Sequence, residues 1–348
     1  MPYAIKKIMR SVIYLIPGVR RPFQQRDAAF AERDAALRQC DAARMQLARL
    51  QDNAETRREI PESLRLSRKE WEVKARLSSM IEWKNFIRDH PEAVSHTVPE
   101  EIARHAAEHG IVSSFFGNIW LRITENLQTL PEDRNYRENL IARRLNARQR
   151  ALLDFFYETF EHRDANELRI YAHEALTSLA MVLRARYPRF IGSEYASDDA
   201  GRGWLFPIPA LDASTTGWPG SVFDAVLSAD VLEHVPDIDA LLRETVRVLK
   251  PGGHFLATFP FACNDEQTSI RARLENGTIT YFSPPEYHGN PVDPEGGSLV
   301  FAIPGWDIIA QCEAAGFRRA EMLFWMSARQ GIAGSPGVGG VFILDALK

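Results

Sequence analysis

The chain of 348 residues predicts an α/β fold: a mostly parallel sheet with flanking helices and an antiparallel C-terminal strand, preceded by a helical N-terminal region. Three observations carry this. The run FDAVLSADVLEHVPDIDALLRETVRVLKPGGHFLATFPF, from Phe223 to Phe261, reads as strand, acidic turn, amphipathic helix, glycine turn and strand. A shorter strand-helix-strand pattern precedes it between Glu167 and Tyr195. Two β-rich segments, Phe317 to Ser327 and Val338 to Leu347, close the chain around a glycine-rich loop. A right-handed crossover is the natural connection for each strand-helix-strand unit.

Each element has its local reason. Phe223 to Ser228 is a short apolar run suited to a buried parallel strand. Asp230 follows at its carboxyl end, the edge where open α/β sheets bind ligands. Leu241, Leu242, Thr245, Val246, Val248 and Leu249 recur at helical spacing, with Arg243, Glu244 and Arg247 between them. Lys250 is expected in the last turn, and Pro251-Gly252-Gly253 should end the helix. His254 to Phe259 is the next strand. Upstream, Glu167 to Ala172 is a strand, Ala175 to Arg186 a helix with Leu176, Leu179, Ala180 and Leu183 on one face, and Arg189 to Tyr195 a strand ending in Glu194. The interval from Ala172 to Glu194 fits the ~20 residues that separate the first turn of a nucleotide-binding βαβ unit from its ribose-binding carboxylate. Gly305 to Ala315 is a helix stopped by Gly316.

The phrase FD-V-----LEH----------RVLKPGG resembles the second half of the class I S-adenosylmethionine-dependent methyltransferase domain, where it spans the fourth strand to the fifth. The resemblance implies a Rossmann-like sheet, S-adenosylmethionine (SAM) as cofactor, and methyl transfer to an oxygen or nitrogen of a small-molecule or glycan acceptor. It assigns the cofactor side to the first turn (Ala172, His173, Glu174), to Glu194 for the ribose hydroxyls, to Asp212 and the Ala213 N–H for adenine, and to Asp230. Trp204 or Phe206 can stack on the adenine. Two departures are plain. The first turn has no glycine, and the segment between the second and third strands is short enough to read as a loop. The acceptor side falls to His234, with His288 as the competing base and Glu286 beside it. Those last two lie in the turn-rich stretch PPEYHGNP, in an insertion that also carries an Asn276-Gly277 hairpin signal.

Composition sets the outer bounds. A formal charge of −4 and a pI near 6.2 argue against a broad nucleic-acid-binding surface. The three cysteines, Cys40, Cys263 and Cys312, are odd in number and scattered, a cytoplasmic rather than a disulfide pattern. No CxxC or HExxH spacing points to a metal, and no apolar run is long enough to span a membrane.

The domain organisation reads as 1–58, 59–165 and 166–348. Residues 1–21 are basic and amphipathic, suited to peripheral membrane contact. Residues 24–53 repeat heptad-like (RDAAFAE, RDAALRQ, CDAARMQ), a coiled-coil arm for homo-oligomerisation or a solvated helix. Residues 59–165 are mostly helical. Tyr136 to Phe156 contains a basic patch of Arg143, Arg144, Arg148 and Arg150, which either holds an anionic group or is a solvated helix face. This stretch is similar to one ahead of the catalytic domain in bacterial methyltransferases of cell-surface glycan loci, which implies glycan biosynthesis. The alternative reading is a scaffold in a glycan assembly complex whose SAM site has decayed. A nicotinamide oxidoreductase is disfavoured by the absent glycine fingerprint.

Overall fold

The structure, a computed structural model, describes residues 71–121, 134–196 and 198–348. The amphipathic segment and heptad repeat expected within 1–58 lie outside them. A seven-stranded mixed sheet is built from β1 (Glu72–Leu77), β2 (Ile170–Ala172), β3 (Phe190–Gly192), β4 (Phe223–Ala229), β5 (Leu249–Thr258), β6 (Arg319–Ser327) and β7 (Val341–Leu347), in the order β1-β6-β7-β5-β4-β2-β3. The half from β3 to β5 is parallel. The half from β5 through β7 and β6 to β1 is antiparallel. The stretch expected to be mostly helical, 59–165, therefore also supplies an edge strand, β1, paired along β6 from Glu72↔Ser327 to Leu77↔Met322.

Helices cover both faces. On one side α1 (Met80–Asp89), α2 (Val98–His109), α6 (Ile238–Val248) and α7 (Ile308–Ala315) bury Trp83, Ile102, Leu241 and Ile308. On the other, α3 (Ala147–Phe160) and α4 (Ser178–Arg186) bury Leu152, Phe156, Leu179 and Leu183. Each such side chain contributes about 1.5–3 kcal/mol of transfer free energy. Cys263 and Cys312 are buried free thiols within this packing.

Several boundaries differ from expectation for identifiable reasons. Helix α6 stops at Val248, with the N–H of Leu249 closing on Thr245 O. Lys250 is therefore not in its last turn: it belongs to β5 and its ammonium reaches Asp224 at 2.8 Å. Helix α4 begins at Ser178 because the Thr177 hydroxyl accepts from Ala180 N, leaving residues 175–177 in the loop. The link after β3 is not a bare loop: it holds the short helix α5 (Asp199–Leu205), capped by Asp198. The third strand is reduced to one parallel bridge, Glu194↔Ala210. Asn276 and Gly277, both at positive φ, turn a two-stranded hairpin (Ala272–Glu275, Thr278–Tyr281) as their sequence predicts.

Strand β2 is the point where connections change direction: its helix α4 leads to β3 on one side, while β4 lies on the other. The crevice at the carboxyl ends of β2 and β4 is the ligand position of such a sheet.

Candidate active site

A cavity of about 1580 Å³ opens at that crevice. His173, Glu174, Glu194, Asp212, Ala213, Asp230, His234 and His288 line it, so eight of the ten residues singled out in the sequence meet in one place. Ala172 does not line it: it is fully buried, and its carbonyl accepts from Ser193 N. Glu286 is also outside the lining but bonds to His288, which is inside. Trp204 on α5 reaches the cavity, whereas Phe206 is turned to solvent.

The first turn, His173-Glu174-Ala175, has no glycine, yet it passes close to β3. The reason is Gly192, where a Cβ would stand 2.3 Å from the Glu174 carbonyl. The glycine that permits the approach sits on the neighbouring strand rather than in the turn. Glu194 ties the turn down: its Oε1 accepts from Ala175 N at 2.7 Å and Leu176 N at 2.8 Å. Burial raises the Glu194 pKa despite those bonds. Asp212 is exposed and accepts from its own turn, the N–H and hydroxyl of Ser214.

Asp230 follows the last residue of β4 at φ +56°, an uncommon conformation for an L residue. Its N–H is held by Thr258 O at 2.8 Å. Arg137 grips its carboxylate with two bonds of 2.9 and 2.8 Å, and Arg148 Nε stands 3.1 Å away. These cations outweigh burial and hold Asp230 well below the usual carboxylate range. Glu138 bonds to Arg148 at 3.0 and 3.1 Å and pairs with Arg137.

The basic patch thus divides. Arg143 and Arg144 are exposed in a turn at positive φ rather than on a helix face. Arg148 and Arg150 lie in the first turn of α3, after the Asn146–Gln149 capping box, where the helix dipole disfavours cations. Arg150 directs Nη1 to the carbonyls of Leu140 and Leu145 and Nη2 to that of Gly331, all within the packing, and only its Nε is without a partner. Arg148 instead faces the cavity, and its Nη1 is buried without a hydrogen-bond partner. Arg137 and Glu138 were not singled out in the sequence, because only tertiary contact brings that one helical turn to Asp230.

Two further buried atoms on this rim have no hydrogen-bond partner, Glu174 Oε1 and His173 Nδ1. Burial pushes Glu174 up to about 8 and pulls His173 down to about 4. An unpaired guanidinium N–H beside an unpaired carboxyl is complementary to a zwitterion such as the amino-acid end of SAM, so the residues present fit that cofactor.

Across the cavity, Leu232–His234 forms a 3₁₀ turn after β4. His234 Nδ1 donates to Leu299 O at 2.9 Å, which leaves Nε2 as the free lone pair. His288 packs edge-on against it, with ring centroids 5.0 Å apart. His288 Nε2 donates to Glu286 at 3.2 Å, and its Nδ1 faces Glu233. The adjacent Glu233 carboxylate raises the His288 pKa. Glu233 itself, a residue the sequence reading passed over although it stands in the LEH phrase, is fully buried.

The sheet is Rossmann-like, with its pocket at the topological switch point. Residues 192–257 match the family described as methyltransferase domain. A ubiquinone biosynthesis O-methyltransferase of Paramagnetospirillum magneticum is 53% identical over 38 residues, 11% of this chain and 15% of that protein. A sarcosine/dimethylglycine N-methyltransferase of Halorhodospira halochloris is 42% identical over 60 residues, 17% of this chain and 22% of that protein. The chain thus spans under a quarter of the length of these curated relatives. Among solved structures, an SAM-bound amino pentose methyltransferase of Micromonospora echinaspora is 17% identical with a TM-score of 0.36, covering 58% of this chain and 92% of that one. Among the described residues, no helix is long and apolar enough to cross a membrane.

Proposed function

We propose that the protein is an SAM-dependent methyltransferase acting on an oxygen or nitrogen of a small-molecule or glycan acceptor. The observation that carries this is the juxtaposition of two unsatisfied buried groups, the guanidinium Nη1 of Arg148 and the carboxyl Oε1 of Glu174, at the crevice of the sheet. In this reading Arg148 takes the carboxylate of the cofactor and Glu174 its ammonium. Glu194 offers its second oxygen to the ribose hydroxyls, and Asp212 with Ala213 N–H meets the adenine edge beside Trp204. Asp230 acts through Arg137 and Arg148, which it orients.

When bound, SAM supplies a sulfonium-activated methyl group, whose carbon bonds to the acceptor while the carbon–sulfur electron pair returns to sulfur. The protein's contribution is alignment and removal of the acceptor's proton. His234 Nε2 and His288 Nδ1, each with its other nitrogen committed to an acceptor, are the groups able to take that proton. The strip Tyr287–His288, paired with Ser298–Leu299, brings His288 to the cavity from the insertion.

Calorimetric titration of the full chain with SAM and with its demethylated product tests the reading, with micromolar affinity expected, about −8 kcal/mol. No binding of either molecule would replace the enzyme with the scaffold reading, which the glycine-free turn favours. His234→Ala and His288→Ala should leave SAM affinity nearly unchanged.

A further inference from the structure

We infer that Glu233, His234 and His288 form a site for a divalent first-row transition ion of the zinc class on the acceptor side of the cavity. The ligand atoms of the three side chains lie within 4.8 Å of one another. His234 Nε2 stands 3.7 Å from Glu233 Oε1, and His288 Nδ1 stands 3.6 Å from the same oxygen. These separations are too long for formed hydrogen bonds. They suit donors around a cation with bonds of ~2.0–2.2 Å after a small contraction.

A second observation points to a ligand independently of the clustering. Glu233 is fully buried, and neither of its carboxylate oxygens has a hydrogen-bond partner. A buried carboxylate left this way costs several kcal/mol unless a cation compensates it. Among the described residues no lysine or arginine pairs with it, and the histidines are the groups that face it.

The supporting shell has the arrangement of a metal site. A ligating imidazole normally donates its other N–H to a carbonyl or carboxylate, which fixes the tautomer and the ring orientation. His234 does so to the Leu299 carbonyl at 2.9 Å, and His288 does so to Glu286 at 3.2 Å. Glu286 is held in turn by Arg271 at 3.3 Å. One nitrogen of each ring therefore points its lone pair toward the same buried oxygen. The chemistry of the set, one carboxylate and two imidazoles, matches Zn²⁺ and its neighbours rather than Mg²⁺ or Ca²⁺.

Both histidines and the cavity share a wall, so the ion's remaining positions open toward the acceptor. There it acts as a Lewis acid, lowering the cost of losing the acceptor's proton to water; the histidines then serve as ligands instead of bases. That role rests on the methyltransferase reading, whereas the binding of the ion does not.

The test is a titration of the metal-free full-length chain with Zn²⁺ by calorimetry and with Co²⁺ by visible absorption. One equivalent per chain is expected, with ligand-field bands of low-symmetry Co²⁺. Glu233→Gln, His234→Ala and His288→Ala should each weaken binding at least about tenfold, and Glu286→Gln by about 10–100-fold. His162→Ala, at an exposed histidine outside the cavity, should leave binding unchanged. Near-UV circular dichroism confirms that each variant is folded, and the isosteric Glu233→Gln keeps the test decisive if an alanine variant is not. Failure of the intact chain to bind one equivalent, or wild-type affinity in all three ligand variants, overturns the inference. A parallel SAM titration separates the two claims. A chain that binds SAM but no ion defeats the ion site alone, and a chain that binds the ion but not SAM supports the ion site while defeating the methyltransferase reading.

Discussion

Two ion-paired aspartates, one on the interior strand β7 and the other just past the end of β4, make similar contacts with cations and differ in what surrounds them. Asp345 on β7 takes His254 at 2.7 Å and Arg76 at 2.8 Å, with Arg319 3.7 Å away. Both of its oxygens have donors, its side chain is fully buried, and the cluster staples edge strand β1 to the rest of the sheet. Asp230, half-buried past the carboxyl end of β4, is just as firmly held by Arg137 and Arg148, yet its neighbourhood contains unpartnered atoms on Arg148, Glu174 and His173. A saturated buried cluster is structure. One that keeps unsatisfied donors and acceptors against a cavity is built to receive something.

The sharpest break between the two clusters is in stability. Asp345→Ala removes the shared partner of His254 and Arg76, although Arg76 keeps Glu321, and should cost about 1.5–3 kcal/mol in denaturant unfolding. SAM affinity, measured where the variant is folded, should not move. The pH dependence follows the same residue. Burial alone would raise the Asp345 pKa, but its bonds to His254 and Arg76 win and hold it below the ordinary value. A depressed carboxylate stabilises the fold above its unfolded pKa of ~3.9, and that stability disappears as pH falls through the folded value. The wild-type chain should therefore carry an acid-side loss of stability that Asp345→Ala lacks. If instead the variant loses SAM binding and keeps its stability, the two clusters have been assigned the wrong way round.

Helix α3 contains the comparison in miniature. Arg148→Gln should lower SAM affinity by about 1.5–3 kcal/mol, the range of a hydrogen bond to a charged group, because its free Nη1 is the one offered to the ligand. Arg137 still neutralises Asp230 in that variant, so the fold should persist. Arg150→Met should do the opposite. Burial pulls Arg150 down to about 10, and three backbone carbonyls depend on it. Its loss should destabilise the chain by at least ~1–3 kcal/mol while the remaining folded protein binds SAM normally. Equal effects of both substitutions on SAM affinity would remove Arg148 from the site.

These two arginines also show where the sequence stops being legible. The parallel half from Phe223 onward is readable because local signals agree: a β-branched apolar strand, a six-residue helical stripe and a glycine turn. Eight candidate residues could be brought to one cavity because strand ends and the turns after them are placed by topology alone. What lay beyond reach depended on contacts distant in sequence. Arg148 and Arg150 are two residues apart and indistinguishable by charge, and only the carbonyl of Gly331 and the carboxylate of Asp230 separate their roles. Strand β1 was hidden for the same reason: EVKARL alternates weakly and pairs with a strand almost 250 residues away. Gly192, which frees the glycine-poor turn to approach β3, lies on a different element from the turn it serves.

Glu194 refines the contrast from within the site. One oxygen is saturated like those of Asp345, holding Ala175 N and Leu176 N, and the other is available. Glu194→Ala should weaken SAM and its demethylated product alike, by about 1–3 kcal/mol, since ribose contacts do not sense the methyl group. Glu194→Gln retains an acceptor for the two amides and should lose less. A substitution that discriminates between the two ligands would place Glu194 near the sulfonium instead.

The mildest effect is the most diagnostic of an unsaturated cluster. Burial holds Glu174 protonated up to about pH 8, with Arg148 opposing that shift and the charges of Glu194 and Asp230 reinforcing it. An ammonium arriving at Oε1 favours the ionised carboxylate, so binding at neutral pH should expel a proton from Glu174. The sign follows: for an acid whose free-protein pKa is about 8, the ionised fraction grows close to tenfold per pH unit below that value. SAM affinity should rise between pH 6 and 7 by nearly that factor, and calorimetry in buffers of different ionisation enthalpy should register the released proton. Asp345 offers no such signal, since its charge is already formed and paired. Glu174→Gln should flatten the pH dependence and abolish the proton release. A wild-type affinity that is flat from pH 6 to 7 would mean that the ammonium is met elsewhere on the rim, with Glu174 remaining neutral in the complex.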